Sequence, residues 1–134
     1  MLLMGFALSL PANGAVAEVV VVVSAKNPVT LTKHQVMDIF LGKLHRFPND
    51  GRAIPVDQAE GSATRDEFYL EYSGQSPAQI KAYWSKLIFT GRGQPPQEAA
   101  NGLQVKKFIA EHPNAIGYIQ ANLVDSSVRV LQVK

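Results

Sequence analysis

The sequence has 134 residues, of which 46% are hydrophobic and 18% are charged. This length suits one domain with a hydrophobic core of its own. The absence of cysteine from the sequence excludes a disulfide scaffold, thiolate metal sites and a cysteine nucleophile. The formal net charge is +2, from 13 basic and 11 acidic residues, which is too small an excess to indicate a nucleic-acid partner.

The N-terminal segment has the features of a secretory signal peptide. Residues 1–10 are almost all apolar and are too few to span a bilayer. Ala15-Val16-Ala17 matches the small-residue pattern of a cleavage site, although no Lys or Arg precedes the apolar run. A buried strand or helix at this position is the alternative. We expect a signal peptide over residues 1–17, cleaved near Ala17, and therefore a bacterial periplasmic or secreted protein without a membrane span after cleavage.

Hydrophobic periodicity and capping signals in residues 18–134 predict one α/β domain with the element order β-α-β-α-α-α-β-β. The run of five valines at residues 19–23 is typical of a strand buried on both faces. Thr32 with Gln35, and Ser76 with Gln79, form capping boxes that predict helix starts. Further strands are predicted over residues 53–57, 115–119 and 128–133, and further helices from Gly61 to about Tyr72 and over residues 103–111.

Two segments of the middle region leave alternatives open. The helix after Ser76 carries a broad apolar stripe, formed by Ile80, Tyr83, Trp84, Leu87 and Ile88. We expect Trp84 and Tyr83 to pack in the core; an exposed aromatic patch that meets a partner is the alternative. The loop around Arg92, between two glycines and before two prolines, is either a solvated turn or a contact for an acidic partner or ligand.

The strongest candidate for a functional site is Gly61-Ser62-Ala63-Thr64-Arg65, which lies directly after a predicted strand and opens a predicted helix. The first amides of a helix have no partner inside it, and the helix dipole favours an anion there. The glycine allows close approach of a ligand, the hydroxyls can donate, and the guanidinium can donate in parallel to an oxyanion. The alternative is ordinary helix capping, for example by Thr64 with Glu67.

Other patterns of catalytic or metal-binding residues are weak. The three histidines, His34, His45 and His112, are scattered and have no carboxylate at a spacing typical of metal ligands. The sequence contains neither a nucleophile–base motif nor a glycine-rich nucleotide fingerprint. We therefore expect no metal, no cofactor and no enzymatic activity.

A series of short motifs, in a fixed order, resembles the phosphate-binding-protein-like group of periplasmic solute-binding proteins, which serve ABC phosphate transporters. The similarity extends from about Val20 to the C-terminus. The motifs are Asn27-Pro28, Leu31-Thr32 with Gln35, Asp38-Ile39-Phe40-Leu41-Gly42-Lys43, Gly61-Ser62-Ala63-Thr64-Arg65 with Phe68, and Ile116-Gly117-Tyr118.

This resemblance implies a three-layer α/β sandwich with a small mixed sheet, like one lobe of a type II periplasmic binding protein. It also implies an oxyanion site in which Gly61, Ser62 and Thr64 match the family's G-S-G-T turn, while Ala63 replaces its second glycine. The family's arginine, four residues before the serine, is Gln58 here, and Arg65 is the candidate to replace its charge. The family's aspartate, two residues before the serine, is Glu60, which could accept a hydrogen bond from a protonated phosphate oxygen.

Family members clamp their ligand between two lobes, and this chain resembles one of them. Micromolar affinity requires about 8 kcal/mol, whereas each charged hydrogen bond contributes roughly 1.5–3 kcal/mol and association costs about 4–15 kcal/mol. We therefore expect weak, millimolar binding of phosphate or a similar oxyanion, unless a second copy or another periplasmic protein closes the site. The alternative is a non-enzymatic interaction or sensory module that has lost tight binding and acts through dimerisation or a protein partner.

Overall fold

The computed structural model describes residues 18–133, so the predicted signal peptide lies outside the described residues. The strands are β1 (Val19–Ser24), β2 (Ile54–Gln58), β3 (Gln97–Ala99), β4 (Ala115–Gln120) and β5 (Val128–Val130), and the helices are α1 (Lys33–Phe40), α2 (Ala63–Ser73), α3 (Pro77–Phe89) and α4 (Gly102–Glu111). A 3₁₀ turn at Ala121–Leu123 follows β4.

The five strands form one mixed sheet in the order β3-β2-β4-β1-β5. β2 is parallel to both β3 and β4, whereas β1 is antiparallel to β4 and β5. The register between β2 and β3 pairs Asp57 with Glu98, which places two acidic residues side by side near the end of β2.

Helices cover both faces of the sheet, which confirms the predicted three-layer sandwich. Val21 and Val23 of β1 pack in the core formed with α1, α2 and α3, whereas Val22 packs in the core formed with α4. This alternation follows from the two-residue period of a strand. Since both faces are covered, the valine run is buried on both sides, as its composition predicts.

Local capping signals place the helix starts correctly. Thr32 and Ser76 cap α1 and α3 in complete capping boxes, and Pro77 occupies the first turn of α3. Replacement of such a cap by alanine typically costs about 1 kcal/mol. These starts were predictable because the interactions that define them involve residues only three positions apart.

Three details differ from the sequence prediction. The strand β3, between α3 and α4, was missed, because Gln97–Ala99 is short and has no apolar alternation of its own. The apolar stripe of α3 is narrower than predicted: Ile80 and Trp84 are buried, whereas Ile88 is 54% exposed. Trp84 is buried as predicted. The last strand ends at Val130 rather than at residue 133.

None of the helices within residues 18–133 combines the length and the apolar character needed to cross a bilayer.

Gly117 of β4 is required by the packing of α4 against the sheet. A Cβ atom added there would lie 2.6 Å from Val105 Cγ1 and 2.8 Å from Ile109 Cδ1. The absence of a side chain therefore lets α4 lie directly on the strand.

We predict that Gly117→Ala lowers the free energy of unfolding by about 1–3 kcal/mol, because it overpacks a buried contact. Urea denaturation followed by circular dichroism measures this change. Gly93→Ala is the control, since its added Cβ would meet Leu87 Cδ2 at 3.4 Å, an ordinary contact. Equal denaturation midpoints for the two variants would contradict the packing argument.

Candidate functional site

The candidate site is the turn that joins β2 to α2. Its backbone is closed by a hydrogen bond from the Ser62 amide to the Ala59 carbonyl oxygen, 3.1 Å long. Gly61 has φ of +95°, a left-handed conformation that favours glycine. A Cβ atom added at Gly61 would meet nothing within 4 Å. The turn is therefore shaped by its glycine and open towards solvent at this residue.

Ser62 is the N-cap of α2. Its Oγ atom accepts a hydrogen bond of 3.2 Å from the Arg65 amide. Thr64 lies inside the first turn and is buried, so the predicted capping box of Thr64 with Glu67 is wrong. Serine and threonine are both common N-cap residues. The local sequence therefore does not decide whether the helix begins after Ser62 or after Thr64.

The first two amides of α2 lack a hydrogen-bond acceptor in the described part of the chain. Ala63 and Thr64 are the first two helical residues, and neither amide has an acceptor among residues 18–133. Ala63 is exposed. Free amides at the start of an 11-residue helix, at the positive end of its dipole, are a suitable environment for an anion.

Gln58 holds the turn from beneath. Its side chain is buried and donates through Nε2 to the Tyr118 carbonyl oxygen at 2.9 Å. Its Oε1 atom accepts from the Ser62 hydroxyl at 3.1 Å. Gln58 thus fixes the position of Ser62 and uses the hydroxyl proton that Ser62 would otherwise offer to a ligand.

Arg65 lies beside the turn and is largely covered, with 13% of its side chain exposed. Its Nη1 atom donates to the Gln58 carbonyl oxygen at 3.0 Å and to Glu98 Oε2 at 3.1 Å. The guanidinium also lies over the Tyr69 ring, 5.7 Å from its centroid. Arg65 is therefore an ordered positive charge at the site, but one that already has a carboxylate partner.

The predicted acceptor Glu60 is an exposed residue of the turn. Its Oε2 atom lies 3.4 Å from the Nζ atom of Lys81 on α3. Side chains of both residues are more than half exposed, so this ion pair contributes little to stability.

Beneath the turn lies a buried polar cluster formed by Asp57, Tyr69 and Tyr118. Asp57 is 2% exposed. Its Oδ2 atom accepts from the Tyr69 hydroxyl at 2.6 Å, and its Oδ1 atom accepts from the Tyr118 hydroxyl and from the Gln58 amide. The Tyr118 ring in turn stacks on Phe68 with centroids 4.0 Å apart. The cluster therefore connects β2, α2 and β4 directly below the candidate site.

Burial dominates the ionisation of this cluster. It raises the pKa of the Asp57 carboxyl, although nearby Arg65 and the hydroxyl donors of Tyr118 and Tyr69 act in the opposite direction. Burial and the neighbouring Asp57 also raise the pKa of both tyrosines, which stay protonated and act as donors. Burial acts to lower the pKa of Arg65, but Asp57, Tyr69, Glu98 and Tyr118 together raise it, so Arg65 stays charged.

Sequence reasoning missed the residues that support the turn. Asp57, Tyr69, Tyr118 and Glu98 were not predicted as site residues, and Gln58 was considered only as a replacement for an arginine. One signal was available for Asp57, since a carboxylate inside a predicted buried strand requires hydrogen-bond partners. The identity of those partners depends on tertiary contacts, because Tyr118 is 61 positions away.

Across residues 18–133, no three His, Asp or Glu side chains lie close enough together to hold a metal ion. The Nε2 atom of His34 lies 3.2 Å from Oδ2 of Asp38, which is one helical turn further along α1.

The raised pKa of Asp57 predicts a specific pH dependence of stability. Above its ordinary pKa of 3.8, the folded protein binds more protons at this group than the unfolded chain does, so stability falls as the pH rises towards the folded pKa. The unfolding free energy of wild type relative to Asp57→Asn should therefore decrease as the pH rises above about 4.

Urea denaturation of both proteins over a series of pH values measures this difference. Asp50→Asn is the control, because the Asp50 side chain is 92% exposed, and its curve should parallel that of wild type. A gap between wild type and Asp57→Asn that widens in favour of wild type above pH 4 would rule out the raised pKa.

Comparison with known proteins gives matches among solved structures. No protein-family model matches the sequence, and no curated protein matches it. A structure described as a phosphate ABC transporter substrate-binding protein with bound phosphate, from Clostridium perfringens, matches with a TM-score of 0.70 and 25% identity. An ABC-type phosphate transport receptor from Vibrio cholerae matches with a TM-score of 0.68 and 20% identity, and PstS from Borrelia burgdorferi with 0.61 and 14%.

These matches include nearly all of the described chain but only part of each solved protein. They cover 87% of this chain in the first two cases and 88% in the third, and 45%, 47% and 47% of the solved proteins. The chain thus spans slightly less than half the length of the structures it matches. It has the fold of one lobe of a phosphate ABC transporter substrate-binding protein, which confirms the resemblance that its motifs predict.

Proposed function

We propose that this protein is a non-catalytic solute-binding module that binds phosphate or a similar oxyanion weakly at the start of α2. The observation that carries the proposal is that the amides of Ala63 and Thr64 have no acceptor within residues 18–133, at a helix start formed by a glycine turn. The similarity to a phosphate-bound structure supports the choice of phosphate. Export to the periplasm, after cleavage near Ala17, is part of the same proposal.

The ligand contacts in this proposal come mainly from the backbone. An oxyanion at the turn would accept from the amides of Ala63 and Thr64, close to Gly61. Ser62 and Arg65 would contribute less than their chemistry suggests. The Ser62 hydroxyl already donates to Gln58, and Nη1 of Arg65 already donates to Glu98. Charged hydrogen bonds contribute roughly 1.5–3 kcal/mol each, and association costs about 4–15 kcal/mol. A few such bonds therefore correspond to millimolar affinity.

The backbone amide of Ala63 can be removed without disturbing the helix. Proline is well tolerated at the first helical position, and Ser62 has the extended conformation that a following proline requires. We predict that Ala63→Pro leaves the fold intact but weakens phosphate binding at least about tenfold, since it removes one charged hydrogen bond.

Isothermal titration with inorganic phosphate and with sulfate, up to tens of millimolar, tests this prediction. Ala63→Gly is the matched control, because it keeps the amide and should bind at least as well as wild type. No heat from wild type in this range, or equal affinities for Ala63→Pro and Ala63→Gly, would disprove binding at this turn.

Further contacts to the anion are expected to come from a second polypeptide segment. Glu60, Gly61 and Ala63 are exposed, so the turn is open on its outer side. A second copy of this chain or another periplasmic protein could cover it. If a second copy does so, phosphate should shift the protein from monomer to dimer, and light scattering with and without 20 mM phosphate, about twenty times a Kd of 1 mM, measures the shift. An unchanged mass in both conditions would exclude a phosphate-dependent dimer.

A further inference from the structure

We infer that Glu98 is an affinity-determining residue that competes with the anion for Arg65. This inference rests on the proposed function, since it concerns the strength of binding at the same turn. Glu98 belongs to β3, the strand that sequence analysis missed, and none of its immediate neighbours resembles a ligand-binding motif.

The sheet places Glu98 where it can reach Arg65. β3 is parallel to β2, and its register pairs Glu98 with Asp57, one residue before the end of β2. Arg65 lies in the first turn of α2, which follows β2 through the candidate site. The contact of 3.1 Å between Arg65 Nη1 and Glu98 Oε2 thus spans 33 residues of sequence.

This contact reduces what Arg65 can offer to an anion. The same Nη1 atom also donates to the Gln58 carbonyl oxygen, so the guanidinium is held towards the end of the sheet. A ligand that recruits Arg65 must compete with a carboxylate that is part of the fold. That carboxylate is only half covered, with 48% of the Glu98 side chain exposed, whereas Arg65 is 13% exposed.

The other carboxylates near Arg65 also reduce the positive charge that is available to an anion. Asp57, buried beneath the turn, attracts the same guanidinium. Glu60 is within the turn and pairs with the exposed side chain of Lys81. An oxyanion that binds at Ala63 and Thr64 therefore adds negative charge beside carboxylates that one arginine and one lysine balance only in part. Removal of the Glu98 charge should leave more of the Arg65 charge to the ligand.

Glu98→Gln tests the inference, because the amide oxygen can still accept from Arg65 while the negative charge is lost. We expect the affinity for inorganic phosphate to rise about three- to tenfold, somewhat more than an exposed ion pair would give. Sulfate should gain by a similar factor, since the effect is one of charge. Glu71→Gln, on the exposed far end of α2, is the charge-matched control and should leave the affinity unchanged.

A double-mutant cycle separates competition from a structural effect. In an Arg65→Ala background, Glu98→Gln should change the phosphate affinity by less than about twofold, because the competing pair no longer exists. Thermal unfolding of each variant checks that the fold persists. A similar gain in both backgrounds would overturn the inference, as would an unchanged or lower affinity of Glu98→Gln in the wild-type background.

These outcomes are distinct from those that test the proposed function. If wild type binds phosphate and Ala63→Pro does not, the turn is the site whatever Glu98 does. If phosphate binds to Glu98→Gln but not to wild type, the proposed binding by the wild-type protein fails, whereas competition by Glu98 is supported. If neither wild type nor Glu98→Gln responds at tens of millimolar, both the site and the role of Glu98 are excluded.

Discussion

The buried carboxylate of Asp57 is the constraint on which the candidate site depends. It receives hydroxyl donors from α2 and from β4 and the amide of Gln58 from its own strand. A buried carboxylate without such donors would be strongly unfavourable, so the three elements must meet in one arrangement. That arrangement fixes the position of the end of β2, and therefore also the position of the turn that begins there.

The same constraint explains why the turn can be both ordered and open. A loop that carries exposed residues usually gains little order from packing. Here Gln58 connects the cluster to Ser62, and Ser62 caps α2, so the hydrogen bonds extend upward from the core to the first turn of the helix. The amides of Ala63 and Thr64, which follow Ser62, have no acceptor in the described chain. A preorganised donor pair loses little conformational entropy when an anion binds.

Much of the fold could be predicted from the sequence because its determinants are local. The capping boxes at Thr32 and Ser76 act over three residues, and the valine run of β1 shows its burial by composition alone. β3 was missed because it is a strand only by virtue of its pairing with β2. For the same reason the support of the site was missed, since Tyr69 and Glu98 reach it through tertiary contacts. The Gly61–Arg65 motif identified the turn, but it did not predict that Gln58 and Glu98 accept hydrogen bonds from Ser62 and Arg65.

These occupied side chains change how the motif should be interpreted. Judged by residue type, Ser62 and Arg65 look like the principal ligands of an oxyanion, and the glycine and alanine look like spacers. In the folded chain the hydroxyl and the guanidinium already have partners, whereas the amides of Ala63 and Thr64 have none among the described residues. If the proposed function holds, specificity for an anion resides in the helix start, and the side chains tune the strength of binding. On the proposed function, a module built in this way would bind weakly by itself and gain affinity from a surface that covers the turn.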